Sequence, residues 1–189
     1  MQGKVCPVWV GYILASPIRR LLQNPKRILG PYIKEGMNVL DIGSAMGFFS
    51  LPLARMVGTK GKVICVDLQE KMLASLNKRA RKASMSERIE TRMSGEKSLG
   101  LTGLENKIDF ALASAVVHEV PDAGSFFSEV HNALKPHGQL LIIEPRGHVS
   151  QVDFDITVNI AQKIGFEAVS NPSIKRSFTV LFKKILKNN

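Results

Sequence analysis

The sequence predicts a doubly wound α/β fold: a seven-stranded, mostly parallel sheet covered by helices, with one antiparallel strand near the C-terminus. Three observations predict it. Short, near-continuous apolar runs recur along the chain; stretches with apolar residues at helical spacing lie between them; and the last two apolar runs are joined only by a short turn. Fully apolar strands alternating with helices indicate a parallel sheet buried on both faces, whereas a closing hairpin-like pair requires one reversed strand.

Val39, Leu40 and Ile42 form the first strand, and Phe49, Leu53 and Met56 follow at helical spacing. Gly58 and Gly61 bracket a turn before the second strand, Val63, Ile64 and Val66, and Leu73, Leu76 and Ala80 mark the next helix face. Ile89, Thr91 and Met93 alternate with charged residues, as a half-exposed third strand would. Ile108–Ala115 is the fourth strand; Phe127, Val130 and Leu134 give a helix face ending near Pro136 and Gly138; Leu140–Ile143 is the fifth strand. Val152, Ile156, Ile160 and Ile164 read as a further helical stripe closed by Gly165, and Phe166–Val169 and Phe178–Phe182 as two strands joined by a turn at Asn171-Pro172. Without repeats or linkers, residues 1–189 read as a single domain.

Length and composition narrow the function. The 189 residues suffice for a buried core, and 44% hydrophobic with 22% charged residues excludes a wholly disordered or collagen-like chain. Aromatics at 6% do not suggest a base-stacking platform, and two cysteines, Cys6 and Cys65, make neither a disulfide framework nor a cysteine-rich zinc site. No run reaches the about 18 apolar residues of a membrane span. Val8–Ala15 is short and lacks a preceding basic region, so it reads as a poor signal peptide and the expected compartment is the cytoplasm. The net charge of +10 suits a solvated face, and it also permits an anionic partner such as RNA or a membrane surface.

The chemistry concentrates after the first strand. Asn38 to Phe49 reads as a strand, a tight small-residue loop and a helix, which turns backbone N–H groups toward a ligand, with Gly43 and Gly47 allowing close approach. A dinucleotide loop would place glycine at 45 and 48, where Ala45 and Phe48 stand, and no Gly-Lys-Ser/Thr makes a P-loop. Asp41, two residues before the first glycine, suits a cationic ligand end such as an α-amino group. Asp67, ending the second strand, is placed to accept both ribose hydroxyls. A nucleoside with an amino-acid tail fits both acids, which points to S-adenosylmethionine.

Val39-Leu40-Asp41-Ile42-Gly43-Ser44-Ala45-Met46-Gly47 and Val63-Ile64-Cys65-Val66-Asp67 resemble the first two motifs of the class I S-adenosylmethionine-dependent methyltransferases. The likeness is to the small-molecule group typified by ubiquinone and menaquinone biosynthesis enzymes. It implies a Rossmann-like sheet with Asp67 on the ribose and Leu68 against the adenine. Met93-Ser94-Gly95-Glu96 falls where the family writes Gly-Asp-Ala-Glu, so Ser94 or Glu96 supplies the adenine contact. Phe110 to Ala115 resembles the fourth-strand motif beside the methionine end, bringing in Ala113 and Ser114, and Leu134-Lys135-Pro136-His137-Gly138 resembles the family's turn before strand five.

Missing motifs exclude several chemistries. Ser114-Ala115-Val116-Val117 stands where an exocyclic-amine nucleic-acid enzyme needs Asn/Asp-Pro-Pro-Tyr/Phe, no cysteine sits there for cytosine-C5 attack, and Glu144 alone is a thin metal site, so no metal is expected. His118, just beyond strand four, is the candidate general base; the alternative is a loop histidine that caps a helix or packs on the cofactor. Arg146 and His148 follow strand five as candidate substrate contacts, Arg146 for a carboxylate or phosphate. Residues 1–30 read as a helical lid with Trp9 and Tyr12 near the substrate and a helix starting at Asn24-Pro25; their basic, apolar character also permits peripheral contact with a membrane-borne lipid substrate. The expected enzyme, a monomer or homodimer, methylates a small molecule. The rivals are an RNA or protein methyltransferase and a non-catalytic S-adenosylmethionine-binding subunit.

Overall fold

The computed structural model describes residues 23–185. Seven strands stand in the order β3-β2-β1-β4-β5-β7-β6. They are β1 (Asn38–Ile42), β2 (Lys62–Asp67), β3 (Ile89–Met93), β4 (Ile108–Ser114), β5 (Leu134–Pro145), β6 (Phe166–Ser170) and β7 (Ser177–Lys184). The helices are α1 (Pro25–Leu29), α2 (Ser50–Met56), α3 (Glu70–Lys82), α4 (Ala123–Ala133) and α5 (Gln151–Ile164). This is the expected mixed sheet, with β7 its reversed strand. The chain divides into two compact units, the first ending at Ser94 and the second starting its main run at Gly95.

In the first unit β1 pairs parallel to β2 and β2 parallel to β3, with Asp41 opposite Cys65 and Asp67 opposite Met93. Val39, Leu40, Val63 and Ile64 are buried with Leu53, Leu73 and Leu76 from the helices. The strands are β-branched because they are sheathed on both faces, where such side chains pack well. β3 is half-buried from Ile89 to Arg92 and exposed at Met93, without an alternation of buried and exposed residues. Asn24 opens α1 by accepting Lys26 and Arg27 N–H, with Pro25 in the first turn, where its missing N–H costs nothing. Leu29 at its end is fully buried.

In the second unit β4 and β5 are parallel, while β7 runs antiparallel to both β5 and β6. Phe127, Phe166 and Phe182 form a ring cluster with centroids 5.7–6.3 Å apart. Two expectations change. β5 begins at Leu134, six residues before the expected start, because Leu134 pairs with Ile108 and the ladder then bulges between Ile108 and Phe110. His137 takes a left-handed backbone (φ 62°) within that bulge. On α5 the stripe is misplaced: Val152 and Ile156 are 67% and 52% exposed, and the inward residues are Phe154 and Ala161. A four-residue spacing drifts about 40° per step around a helix of 3.6 residues per turn. Phe154, stacked on Phe178 at 5.4 Å, sets which side faces in.

Candidate active site

The loop after β1 is bound tightly into its own unit. Gly43 and Ser44 N–H both donate to the Val66 carbonyl (2.9 and 3.0 Å), Ala45 N–H donates to Asp67 Oδ2 (2.8 Å), and Gly47 N–H to the Ser44 carbonyl (2.9 Å). The expected row of N–H groups aimed at a ligand is therefore spent within the unit at these four positions, because the loop turns back across the end of β2. The turn demands left-handed backbone at Gly43 (φ 68°), Ala45 (φ 45°) and Gly47 (φ 84°). Gly47 is required twice over: a Cβ there would stand 2.3 Å from Leu76 Cδ1, and Leu76 is fully buried.

Two polar groups remain for a ligand. Ser44 is 4% exposed and its buried hydroxyl has no hydrogen-bond partner, which a buried hydroxyl seldom tolerates without a ligand or water. Asp67 accepts Ala45 N–H on Oδ2 and Gln69 N–H on Oδ1 (2.9 Å), the Leu68 N–H also acts on the carboxylate, and the side chain stays partly exposed. Burial raises the Asp67 carboxyl above its ordinary 3.8, against the lowering pull of the Gln69, Ala45 and Leu68 N–H groups. Leu68, beside it, is an exposed apolar side chain. A carboxylate for hydroxyls, an apolar face next to it and an unpartnered buried hydroxyl together fit an S-adenosylmethionine-sized nucleoside. Asp41 is buried and accepts the Ser50 hydroxyl at 2.5 Å, a contact sequence reading missed. Ser94 N–H donates to the Asp67 carbonyl (3.0 Å) and closes this unit.

In the second unit, Gly95 N–H donates to the Ser98 carbonyl (2.8 Å), and Glu129 on α4 accepts the Ser98 hydroxyl and Leu99 N–H at 3.0 Å. Glu129 thus pins the loop that carries exposed Glu96. Ala113, buried, and Ser114 stand at the carboxyl end of β4. The chain then turns through left-handed Ala115 (φ 58°) into a 3-10 turn, Val117–Glu119.

That turn presents His118 to a buried acid. Glu144, 1% exposed on β5, accepts Val116 and Val117 N–H on Oε1 (3.2 and 2.8 Å), and its Oε2 lies 2.5 Å from His118 Nδ1. His118 Nε2 lies 4.0 Å from Glu119 Oε1, and the His148 ring packs edge-on at 5.7 Å. The bond to Glu144 raises the His118 pKa above its ordinary 6.5; burial opposes the rise and the Glu144 and Glu119 charges add to it. Sequence reading placed Glu144 only as a lone acid. Its signal was there: a carboxylate ending the apolar run Leu140–Ile143 must be paired if buried. Arg146 is engaged elsewhere, its Nε donating to the Ser177 carbonyl (3.3 Å) and its guanidinium lying 4.7 Å from the Phe178 centroid. Trp9 and Tyr12 lie outside the described residues. Among the described residues no three His, Cys, Asp or Glu side chains group as metal ligands, and no helix is long and apolar enough to cross a membrane.

Comparison with known proteins agrees with the fold. A family described as a methyltransferase domain matches residues 33–179. A demethylmenaquinone methyltransferase of Lactobacillus johnsonii is 30% identical over 112 residues, which cover 59% of this chain and 45% of that protein. A ubiquinone/menaquinone biosynthesis C-methyltransferase of Escherichia coli is 27% identical, over 59% of this chain and 44% of its own. The match thus spans a little under half the length of these curated relatives. The crystal structure of a SAM-dependent methyltransferase from Aquifex aeolicus superposes with a TM-score of 0.85 and 27% identity, covering 96% of this chain and all of that one. The strand order, the reversed β7 and the loop after β1 define a class I methyltransferase fold. The chain belongs to the methyltransferase-domain family, in its S-adenosylmethionine-dependent class.

Proposed function

We propose that this chain transfers a methyl group from S-adenosylmethionine to a small-molecule acceptor. The observation that carries the reading is the first unit's cradle: the partly exposed Asp67 carboxylate ending β2 together with the unpartnered, buried Ser44 hydroxyl. Asp67 accepts the ribose hydroxyls, Leu68 lies against the adenine, and Ser94, Gly95 and Glu96 supply its polar contact. Gly43, Ser44, Ala45 and Gly47 shape the loop, with Asp41 and the β4 residues Ala113 and Ser114 toward the amino-acid end. When bound, the cofactor supplies a methyl group on a sulfonium, already a good leaving group, so much of the rate comes from positioning. His118 receives the acceptor's proton. His148, whose ring packs on His118, contacts the acceptor together with Trp9 and Tyr12 of the N-terminal segment. Arg146 contributes only where an anionic acceptor draws it from Phe178. The named small-molecule relatives support this acceptor class, and the buried free thiol of Cys65 suits a reducing, cytoplasmic setting.

The test is methyl transfer from cofactor labelled on its methyl group to a cell extract separated into small-molecule, RNA and protein fractions. Label entering the small-molecule fraction supports the reading. Label confined to RNA or protein moves the assignment to a macromolecular acceptor, and cofactor binding without transfer to any fraction makes the chain a binding subunit.

A further inference from the structure

We infer that Glu144 is a positioning residue that holds the His118 imidazole with its proton on Nδ1, so that Nε2 offers its lone pair to an acceptor bearing a removable proton. The inference rests on the methyl-transfer reading and adds to it a partner, a tautomer and an acceptor class: a group whose reacting atom is O–H, N–H or S–H.

A buried carboxylate costs several kcal/mol unless its acceptor sites are filled. Glu144 is filled on both oxygens, Oε1 by Val116 and Val117 N–H and Oε2 by the His118 ring. The two N–H groups belong to the opening of the 3-10 turn and fix the carboxyl plane. With that plane fixed, Oε2 is an acceptor facing Nδ1, and an acceptor requires the ring proton on Nδ1. The opposite ring nitrogen is then unprotonated. The charged and titratable groups around the ring are Glu144 from β5, Glu119 from the turn itself and His148 from the loop after β5. The two nearby acids favour taking up a proton and disfavour an anionic acceptor.

The proton balance follows. The acceptor's X–H bond breaks and its proton moves to Nε2, while the X–C bond forms as the S–C bond breaks and that bond's electron pair stays on sulfur. The resulting imidazolium faces the Glu144 carboxylate, and the proton then passes to water.

The test is nitrogen NMR of the histidine side chains in the full chain without cofactor, with the His118→Asn spectrum assigning His118 among the four histidines. The expected wild-type result is an Nδ1–H tautomer titrating above 6.5. In Glu144→Gln the amide oxygen is held by Val116 and Val117 N–H, so the amide NH2 faces Nδ1 and the ring proton is driven to Nε2. The tautomer flips, and the midpoint falls by about one unit or more. A wild-type ring carrying its proton on Nε2 overturns the inference with no variant needed. So does a folded Glu144→Gln protein with unchanged tautomer and midpoint. Calorimetry with S-adenosylhomocysteine runs alongside: its failure in the wild type removes the methyl-transfer reading while leaving the tautomer result intact.

Discussion

Asp67 and Asp41 are both carboxylates at strand ends, but their surroundings give them different work. Asp67 is only partly buried, whereas Asp41 is buried and holds the Ser50 hydroxyl. Two charge-assisted hydrogen bonds of about 1.5–3 kcal/mol each would be lost in Asp67→Ala, so cofactor affinity should fall on the order of 100-fold or more. Asp41→Asn keeps an oxygen for Ser50 and the same shape, and should cost less; calorimetric titration of both variants ranks them, and a larger loss at Asp41 reverses the assignment. His118 adds a pH dependence. Its folded pKa is raised, so protonated His118 stabilises the fold fully below 6.5, and that contribution is lost as pH rises through the higher folded value. Glu144→Gln should therefore lose more stability relative to wild type at pH 6 than at pH 9; urea unfolding at the two values reads the difference. The position of Asp67 at the end of β2 was legible because it closes an unbroken apolar run, whereas its bond to Ala45 N–H, 22 residues away, was not. The His118–Glu144 contact was not, because it joins residues 26 apart through strand pairing that no local pattern encodes.

Elements show the same division. β1, β2 and β4 were legible because a strand covered on both faces must be an unbroken apolar run. The early start of β5 was not, since it depends on Leu134 finding Ile108 and on a left-handed His137. The stripe on α5 was misread because Phe154 and Phe178 decide the helix's rotation, and their stacking is a tertiary event. The loop between β1 and α2 is the element on which the cradle depends most. Gly47→Ala would place a methyl 2.3 Å from Leu76 Cδ1 on a backbone at φ 84°. About 1 kcal/mol of left-handed strain and about 1–3 kcal/mol of overpacking should lower the urea midpoint. Cofactor affinity should fall with it, because the turn that carries Ser44 must shift. An unchanged midpoint would show that the loop is not held as tightly as its hydrogen bonds indicate.

At the scale of the whole molecule, the proposed cofactor cradle lies among the described residues, whereas Trp9 and Tyr12, proposed to contact the acceptor, lie outside them. A cut after residue 30 would remove fully buried Leu29, a loss of about 2–5 kcal/mol, and the Asn24 cap with it. Removal of residues 1–22 spares both. That deletion should leave the circular dichroism spectrum and S-adenosylhomocysteine affinity close to wild type and abolish label transfer to the small-molecule fraction; full transfer by the shortened chain would remove the N-terminal segment from acceptor binding. The cradle itself is tested most directly by calorimetric titration of the full chain with S-adenosylmethionine in excess chelator. Saturable one-site binding is expected, unchanged by the chelator and abolished or reduced at least about 100-fold in Asp67→Ala, on the order set by its two hydrogen bonds to the ribose. Absence of binding heat at any concentration up to the millimolar range (about −4 kcal/mol in free energy), or binding that Asp67→Ala leaves intact, would contradict it.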